Sequence, residues 1–255
     1  MRKKETAKVV SQECIGTGVY SMVIQTEAAK EAIAGQFISI YCKDKTKLLP
    51  RPISICEIHK ENSTLRIVYR VVGGGTKEMS TYKAGDDIEL IGPLGNGFMQ
   101  REGKKAVLIG GGIGIPPMVQ LAAELKDKAP VQIVAGYRDE LFLTEELESY
   151  GTLYIATEDG SRGTKGTVID AMKAQTVEGD VIYACGPTPM LKAVKAYAHE
   201  KGMECQISLE ERMACGIGAC LACVCQSKDK DHHTNVNNKR ICKDGPVFLA
   251  EEVEL

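Results

Sequence analysis

Five of the chain's ten cysteines fall between residues 215 and 242, and their spacing limits what it can fold into more than any other feature. The run reads Cys215-Gly216-Ile217-Gly218-Ala219-Cys220-Leu221-Ala222-Cys223, with Cys242 following after a long gap. C-x4-C-x2-C with a distant fourth cysteine is the plant-type pattern, in which four thiolates hold the two irons of a [2Fe–2S] cluster. Gly216 and Gly218 suit such a loop, because backbone without a Cβ can curl closely and aim N–H groups at sulfur. Ala219 and Ala222 are small enough to leave the wrap unobstructed. Zinc also accepts four cysteines, but its structural sites usually come as two short knuckles, whereas here three ligands share one loop. Cys225 is an extra thiol that shares a face with Cys223 if the stretch is extended; the x2 spacing favours Cys223. His232 and His233 raise the alternative of a Rieske-type centre, for which adjacent histidines in a polar loop are wrongly arranged.

The rest of the chain must supply electrons to such a cluster or take them away. At 255 residues it has room for two ordinary domains or three small ones. Its 44% hydrophobic and 26% charged residues are the balance of a folded globular chain, not a disordered one. The net charge of −2, without a polybasic block, points away from nucleic acid and from an anionic membrane surface. Met1-Arg2-Lys3-Lys4 leads into Glu5-Thr6-Ala7-Lys8 rather than an apolar segment, and no run of about 18 apolar residues follows anywhere. A cytoplasmic protein is expected, with its cysteines reduced. Cys14, Cys42, Cys56, Cys185 and Cys205 are scattered and read as small buried hydrophobes.

Up to about residue 100 the text is strand-like and short-paced: 18–24, 36–41 and 64–71 are apolar or alternating runs. Gly35, Pro50, Pro52, Gly73-Gly74-Gly75, Gly85-Asp86-Asp87 and Gly92-Pro93-Leu94-Gly95 punctuate them, as in a small all-β barrel or sandwich. Beyond residue 103 the runs 105–109, 131–135, 153–156 and 180–184 predict buried strands. They alternate with helical patterns over 116–126, 144–150, 168–175 and 189–201, which predicts βαβ units on a parallel sheet. From about 205 the text is cysteine-rich, with a polar loop over 226–240 and a possible last strand at 245–249.

Two turns of the second region follow predicted strands and open predicted helices, which sets both at the carboxyl edge of the sheet, where ligands bind. One is Gly110-Gly111-Gly112-Ile113-Gly114-Ile115-Pro116-Pro117, where small residues let a pyrophosphate approach a helix start, although it is not the usual G-x-G-x-x-G. The other is Cys185-Gly186-Pro187-Thr188-Pro189-Met190. In the β-rich half, Arg51-Pro52-Ile53-Ser54 reads as a turn pairing a guanidinium with a hydroxyl, and Gly73-Gly74-Gly75-Thr76 as a nest of N–H groups. Each is an ordinary turn when taken alone.

Taken together, a barrel with Arg-Pro-x-Ser and a sheet domain with Gly-Gly-Gly-Ile-Gly and Cys-Gly-Pro resemble the ferredoxin–NADP reductase superfamily. Glu211-Arg212-Met213-Ala214-Cys215-Gly216 and Cys242-Lys243-Asp244-Gly245-Pro246-Val247-Phe248 narrow the resemblance to the electron-transfer subunits of NAD-dependent (type B) dihydroorotate dehydrogenase, over essentially the whole chain. The resemblance implies an α+β multidomain fold: an antiparallel FAD-binding β-barrel (1–101), an α/β parallel-sheet NAD-binding domain (102–204) and a small [2Fe–2S] domain (205–255). Arg51, Pro52, Ile53, Ser54, Val68, Tyr69, Arg70, Gly75 and Thr76 would bind FAD; Gly111, Gly112, Gly114, Cys185, Gly186 and Pro187 would face NAD. Ile53 departs from the superfamily, many members of which stack a tyrosine on the flavin there.

The same resemblance implies an oxidoreductase subunit of de novo pyrimidine (UMP) biosynthesis. NADH gives a hydride and a cluster takes single electrons, so a flavin between them converts one currency into the other. No general acid or base is nominated, and the four histidines read as incidental. Dihydroorotate oxidation would need a second flavin site on a (β/α)8 barrel, for which no residues remain. An FMN-containing catalytic partner in a heterotetramer is therefore expected. A related NAD(P)H:ferredoxin or sulfur-reducing oxidoreductase subunit and a zinc-stabilised binding module are the competing readings. Arg138, Arg162 and Lys165 are candidates for a 2′-phosphate, or plain surface charges.

Overall fold

A computed structural model describes residues 3–230 and 235–255. His232 and His233 lie outside the described residues. The first half is a closed antiparallel barrel in the order β1-β2-β5-β4-β3-β6. Its strands are β1 (Lys3–Gly16), β2 (Val19–Gln25), β3 (Phe37–Tyr41), β4 (Arg51–His59), β5 (Thr64–Arg70) and β6 (Asp87–Leu94). Two short helices, α1 (Ala28–Glu31) and α2 (Gly74–Met79), add Ala28, Ala29 and Met79 to its core. Alternation makes the barrel: on β6, Ile88 and Leu90 point inward while Asp87 and Glu89 stay outside. Met22, Ile24, Ile38, Ile40, Leu65 and Ile67 fill the interior with them.

Beyond the barrel runs a seven-stranded sheet ordered β10-β9-β8-β7-β11-β12-β15. It comprises β7 (Ala106–Gly111), β8 (Val131–Tyr137), β9 (Thr152–Thr157), β10 (Thr164–Lys165), β11 (Val181–Cys185), β12 (Glu204–Ser208) and β15 (Val247–Leu249). Helices α3 (Pro116–Leu125), α4 (Thr144–Glu148), α5 (Val168–Ala174) and α6 (Thr188–Lys201) connect them. Every residue of β7 is buried, because helices cover both faces of a central parallel strand. The last strand runs antiparallel to β12, so the cysteine-rich segment is anchored to the sheet by its own C-terminus. That segment also holds a small hairpin, β13 (Val224–Gln226) with β14 (Asn238–Arg240). Among the described residues, no helix is long and apolar enough to cross a membrane.

Two local expectations change. Arg51–Ser54 is not a turn but the start of β4, paired with β3 through Ser39↔Pro52 and Ile40↔Arg51. Pairing of β4 with β5 begins only at Ile55, so residues 51–54 have one free edge, where a proline breaks no ladder. The Gly73–Thr76 nest is the first turn of α2, and the Thr76 hydroxyl already accepts from the Val72 and Gly73 N–H groups (3.0 and 3.2 Å).

Barrel and sheet are pinned to each other by polar contacts, half-buried at Arg66 and Gln120 and exposed at Glu140. The Arg66 guanidinium spans Glu57 (2.8 Å) and Glu146 on α4 (3.2 Å). The Gln120 side chain on α3 accepts from the Ile58 N–H (2.7 Å), and Glu140 accepts from the Thr17 N–H (2.8 Å).

Candidate functional site

The free edge of β4 opens into a cavity of about 400 Å³. Arg51, Pro52, Ile53, Ser54, Val68, Tyr69, Arg70 and Thr76, all anticipated from the sequence, line it. Gly75 lies behind: a Cβ there would fall 1.8 Å from Arg51 Nε, so the glycine seats the guanidinium. Two arginines on the barrel wall suit a diphosphate, and the strand edge beside them supplies unpaired main-chain donors. Tyr69 turns its ring into the barrel, stacked on Tyr20 with its hydroxyl on Gln12, so it presents main chain to the cavity. The opposite wall was not foreseen: Ile113 from the glycine turn, Ser208–Glu211, Met213 and Pro246. Leu209 and Met213 precede the cysteine loop in sequence, but nothing in a polar-apolar string announces that they return to the barrel.

A second cavity of about 380 Å³ lies at the carboxyl edge of the parallel strands. Gly111, Gly112, Gly114, Gly186 and Pro187 line it, as anticipated, together with Tyr137, Arg138, Glu158 and Met190. Of the three cations raised for a 2′-phosphate, Arg138 reaches the lining and Arg162 and Lys165 do not. The glycines divide by task. A Cβ on Gly114 would meet the Cys185 carbonyl at 2.4 Å and one on Gly111 would meet Met190 Sδ at 2.4 Å, so these two let the turns pack together. Gly112, at φ +54°, has nothing within 4 Å and leaves the floor open to a ligand. Pro116 and Pro117 open α3 and carry no N–H, so this helix start offers fewer donors than the glycine run suggests. Cys185 is 1% exposed and lines neither cavity; burial pushes its thiol pKa well up.

Ile113 and Glu210 belong to both linings, so the cavities meet at these two side chains. Glu210 sits in the cleft with one side toward water, and the crowding of protein around it raises its carboxyl pKa. No local pattern in the sequence locates such a residue; only the approach of the segment after β12 to the glycine turn does.

The cysteine loop lies beyond Met213. Gly216 (φ +69°), Gly218 (φ +84°) and Leu221 (φ 56°) bend it. The N–H groups of Ala219 and Ile217 point at Cys215 Sγ (3.3 and 3.5 Å). Burial works to raise the Cys215 pKa, but these donors, with the N–H and thiol of Cys220, outweigh it and bring it to about 6. A backbone that stabilises a thiolate is what cluster ligation asks for. Cys223 Sγ accepts the Cys242 N–H at 3.4 Å, and burial together with the neighbouring Cys223 thiol pushes Cys242 up to about 12. The thiols therefore stand as two neighbouring pairs, 215 with 220 and 223 with 242. Among the described residues no three ligating side chains gather around one point. The paired donor set fits a two-iron cluster. Arg240 clamps the loop, bonding Asp244 (3.0 Å) and the Gly218 carbonyl (3.4 Å). Cys225 is half-buried on β13 and packs against the same core that holds Cys223 and Cys242. Of the scattered cysteines, Cys42, Cys56, Cys185 and Cys205 are buried, as expected, whereas Cys14 is exposed on β1.

Comparison with known proteins agrees with this layout. Residues 210–254 match the iron-sulfur cluster binding domain of dihydroorotate dehydrogenase B, and residues 108–196 the oxidoreductase NAD-binding domain. The chain is 44% identical over 253 residues (99% of both chains) to the dihydroorotate dehydrogenase B (NAD(+)) electron transfer subunit of Caldanaerobacter subterraneus. It is 47% identical to the subunit of the same name from Listeria innocua, over 97% of this chain and 98% of that one. Among solved structures, an NADH-dependent reduced ferredoxin-NADP oxidoreductase superposes with a TM-score of 0.87 at 32% identity, covering 97% of this chain and 89% of that one. The ferredoxin reductase of carbazole 1,9a-dioxygenase shares the fold at 22% identity and a TM-score of 0.68, over 79% and 67% of the two chains.

Proposed function

The chain belongs to the electron-transfer subunits of NAD-dependent dihydroorotate dehydrogenase B, and from that premise we propose which residues carry each part of the task. It is an oxidoreductase subunit that passes electrons between NADH/NAD⁺ and a dihydroorotate-oxidising catalytic subunit, using FAD, a [2Fe–2S] cluster and NAD. In such a chain of cofactors nicotinamide exchanges hydride, the cluster exchanges single electrons, and the flavin connects the two.

One observation carries the assignment: the two cavities touch at Ile113 and Glu210, and the one on the barrel ends at Met213, two residues before Cys215. The order of the sites along the protein is thus the order of electron flow. Arg51, Pro52, Ile53, Ser54, Val68, Tyr69, Arg70, Gly75 and Thr76 hold FAD, Arg51 and Arg70 by its diphosphate. Gly111, Gly112, Gly114, Gly186 and Pro187 shape the nicotinamide dinucleotide site, with Cys185 closing it from behind. Ile113 excludes water where the two rings approach, and Cys215, Cys220, Cys223 and Cys242 ligate iron. Glu158, lining the second cavity, favours a ribose 2′-hydroxyl over a 2′-phosphate, and so NADH over NADPH.

Ile217 and Leu221 are 45% and 47% exposed beside the exposed Cys220, an apolar rim through which the cluster meets the FMN-bearing subunit in a heterotetramer. Ten cysteines, all free, fit a cytoplasmic setting. The purified chain, loaded with cofactors, is expected to reduce artificial acceptors with NADH and leave dihydroorotate untouched until the catalytic subunit is added. Dihydroorotate turnover by the single chain would overturn the assignment. The likeness to the ferredoxin-NADP oxidoreductase supports the competing reading of a different partner, and reconstitution with the catalytic subunit separates the two.

A further inference from the structure

We propose that the Ser39 hydroxyl donates a hydrogen bond to a sulfur of the cluster held by the loop around Gly216, making that cluster easier to reduce. The inference rests on the reading that Cys215, Cys220, Cys223 and Cys242 carry a [2Fe–2S] cluster. Ser39 lies on β3 between Ile38 and Ile40, which fill the barrel interior, so by alternation it points outward with Phe37. Outward here is not solvent: Ser39 is 1% exposed. Its Oγ is a buried side-chain polar atom without a hydrogen-bond partner among the described residues. Leaving a hydroxyl dry and unpaired costs free energy, so such an atom in a native fold calls for a partner from outside the chain.

What covers the hydroxyl is the cysteine loop. A Cβ built on Gly216 would stand 3.0 Å from Ser39 Oγ, with Leu94 closing the other side at 3.5 Å. Gly216 follows Cys215, whose sulfur already collects the N–H groups of Ile217 and Ala219. On the opposite side, Ser39 is in register with Pro52, and both Pro52 and Phe37 line the flavin-sized cavity. The hydroxyl therefore sits in the partition between that cavity and the loop. A donor aimed at sulfur stabilises the reduced, more negative cluster more than the oxidised one, which raises the potential. Ser39 thus contacts the cluster directly and tunes its potential, a barrel residue serving the cluster of another part of the chain.

The test uses the full chain with FAD and cluster, wild type against Ser39→Ala, after iron and acid-labile sulfide show equal cluster content. Reductive titration followed by the cluster's electron paramagnetic resonance signal is expected to shift the oxidised-to-reduced ratio at a given potential about tenfold toward oxidised in the variant, equal to about 59 mV. The Fe–S stretching bands in resonance Raman should lose part of their shift on transfer to D₂O. Ser39→Thr and Ser39→Val form an isosteric pair that removes any packing effect: threonine keeps the wild-type ratio and valine takes the alanine value. Equal ratios in threonine and valine variants, or in wild type and alanine with equal deuterium shifts, would overturn the proposal. A wild-type chain that binds no iron or sulfide overturns the cluster reading itself, a result distinct from an unshifted potential.

Discussion

At the scale of single residues, each glycine and cysteine in the site has its own physical reason, and the reasons differ between neighbours. Cys220 is exposed and has Cys215 beside it, whereas Cys225, five positions on, is half-buried against the core. Cys220→Ser should abolish the visible cluster bands and the acid-labile sulfide, while Cys225→Ser keeps both; loss of the cluster in the second variant would reverse the ligand choice. Gly114 and Gly112 are two residues apart, yet only Gly114 has a backbone carbonyl within 2.4 Å of where a Cβ would stand. Gly114→Ala should cost about 1–3 kcal/mol in urea unfolding, because overpacking against main chain leaves little room for relief. Spacing in the sequence singled out the cysteines. It could not separate the two glycines, since only the approach of Cys185 across the sheet edge gives them different work.

At the scale of elements, α2 is seated in the barrel core by Met79 and tied to the loop before β4 by a carboxylate. Glu78 on α2 accepts from the Tyr82 hydroxyl (2.7 Å) and from Lys47 (2.9 Å), and also from the N–H groups of Lys43 and Asp44. Burial works to raise its pKa, but these bonds win and hold it at about 2. Because the folded value lies below the unfolded one, near 4.5, the stability it contributes is complete above about pH 4.5. It is lost as the pH falls toward 2. Glu78→Gln should therefore lower stability by roughly 1 kcal/mol at pH 7, discounted for the open rim of the site. The difference from wild type should vanish by about pH 2, as followed by urea midpoints across that range. The helical periods and four of the buried strands of the sheet were legible in the sequence, but β12 was not. The long β1, the strand beginning at Arg51 and the short α2 were not, because prolines and glycines read as punctuation whether they stop a strand or sit on its free edge.

At the scale of the whole molecule, the site depends on how barrel and sheet are joined. Arg66 is the largest polar link, spanning Glu57 of its own barrel and Glu146 of α4, with its Nε on Ser21 (2.9 Å). Arg66→Met should destabilise the chain by about 2–3 kcal/mol by leaving two half-buried carboxylates without their cation. A double-mutant cycle with Glu146→Gln should return a positive coupling energy; additive losses would show that the link across the two lobes is idle. The sequence by itself determined the chemistry: four cysteines at cluster spacing, a barrel and then a parallel sheet, glycine turns at the strand ends. These follow from local spacing and period, which survive in a linear string. Only the tertiary structure decided where those parts meet. Ile113 and Glu210 join two cavities, Met213 brings the cysteine loop to the cavity on the barrel, and Ser39 of the barrel lies buried against Gly216 of that loop. Each of these contacts spans a sequence separation that no local pattern encodes, and each exists because the C-terminal strand β15 returns to pair with β12 and carries the cluster segment back onto the barrel.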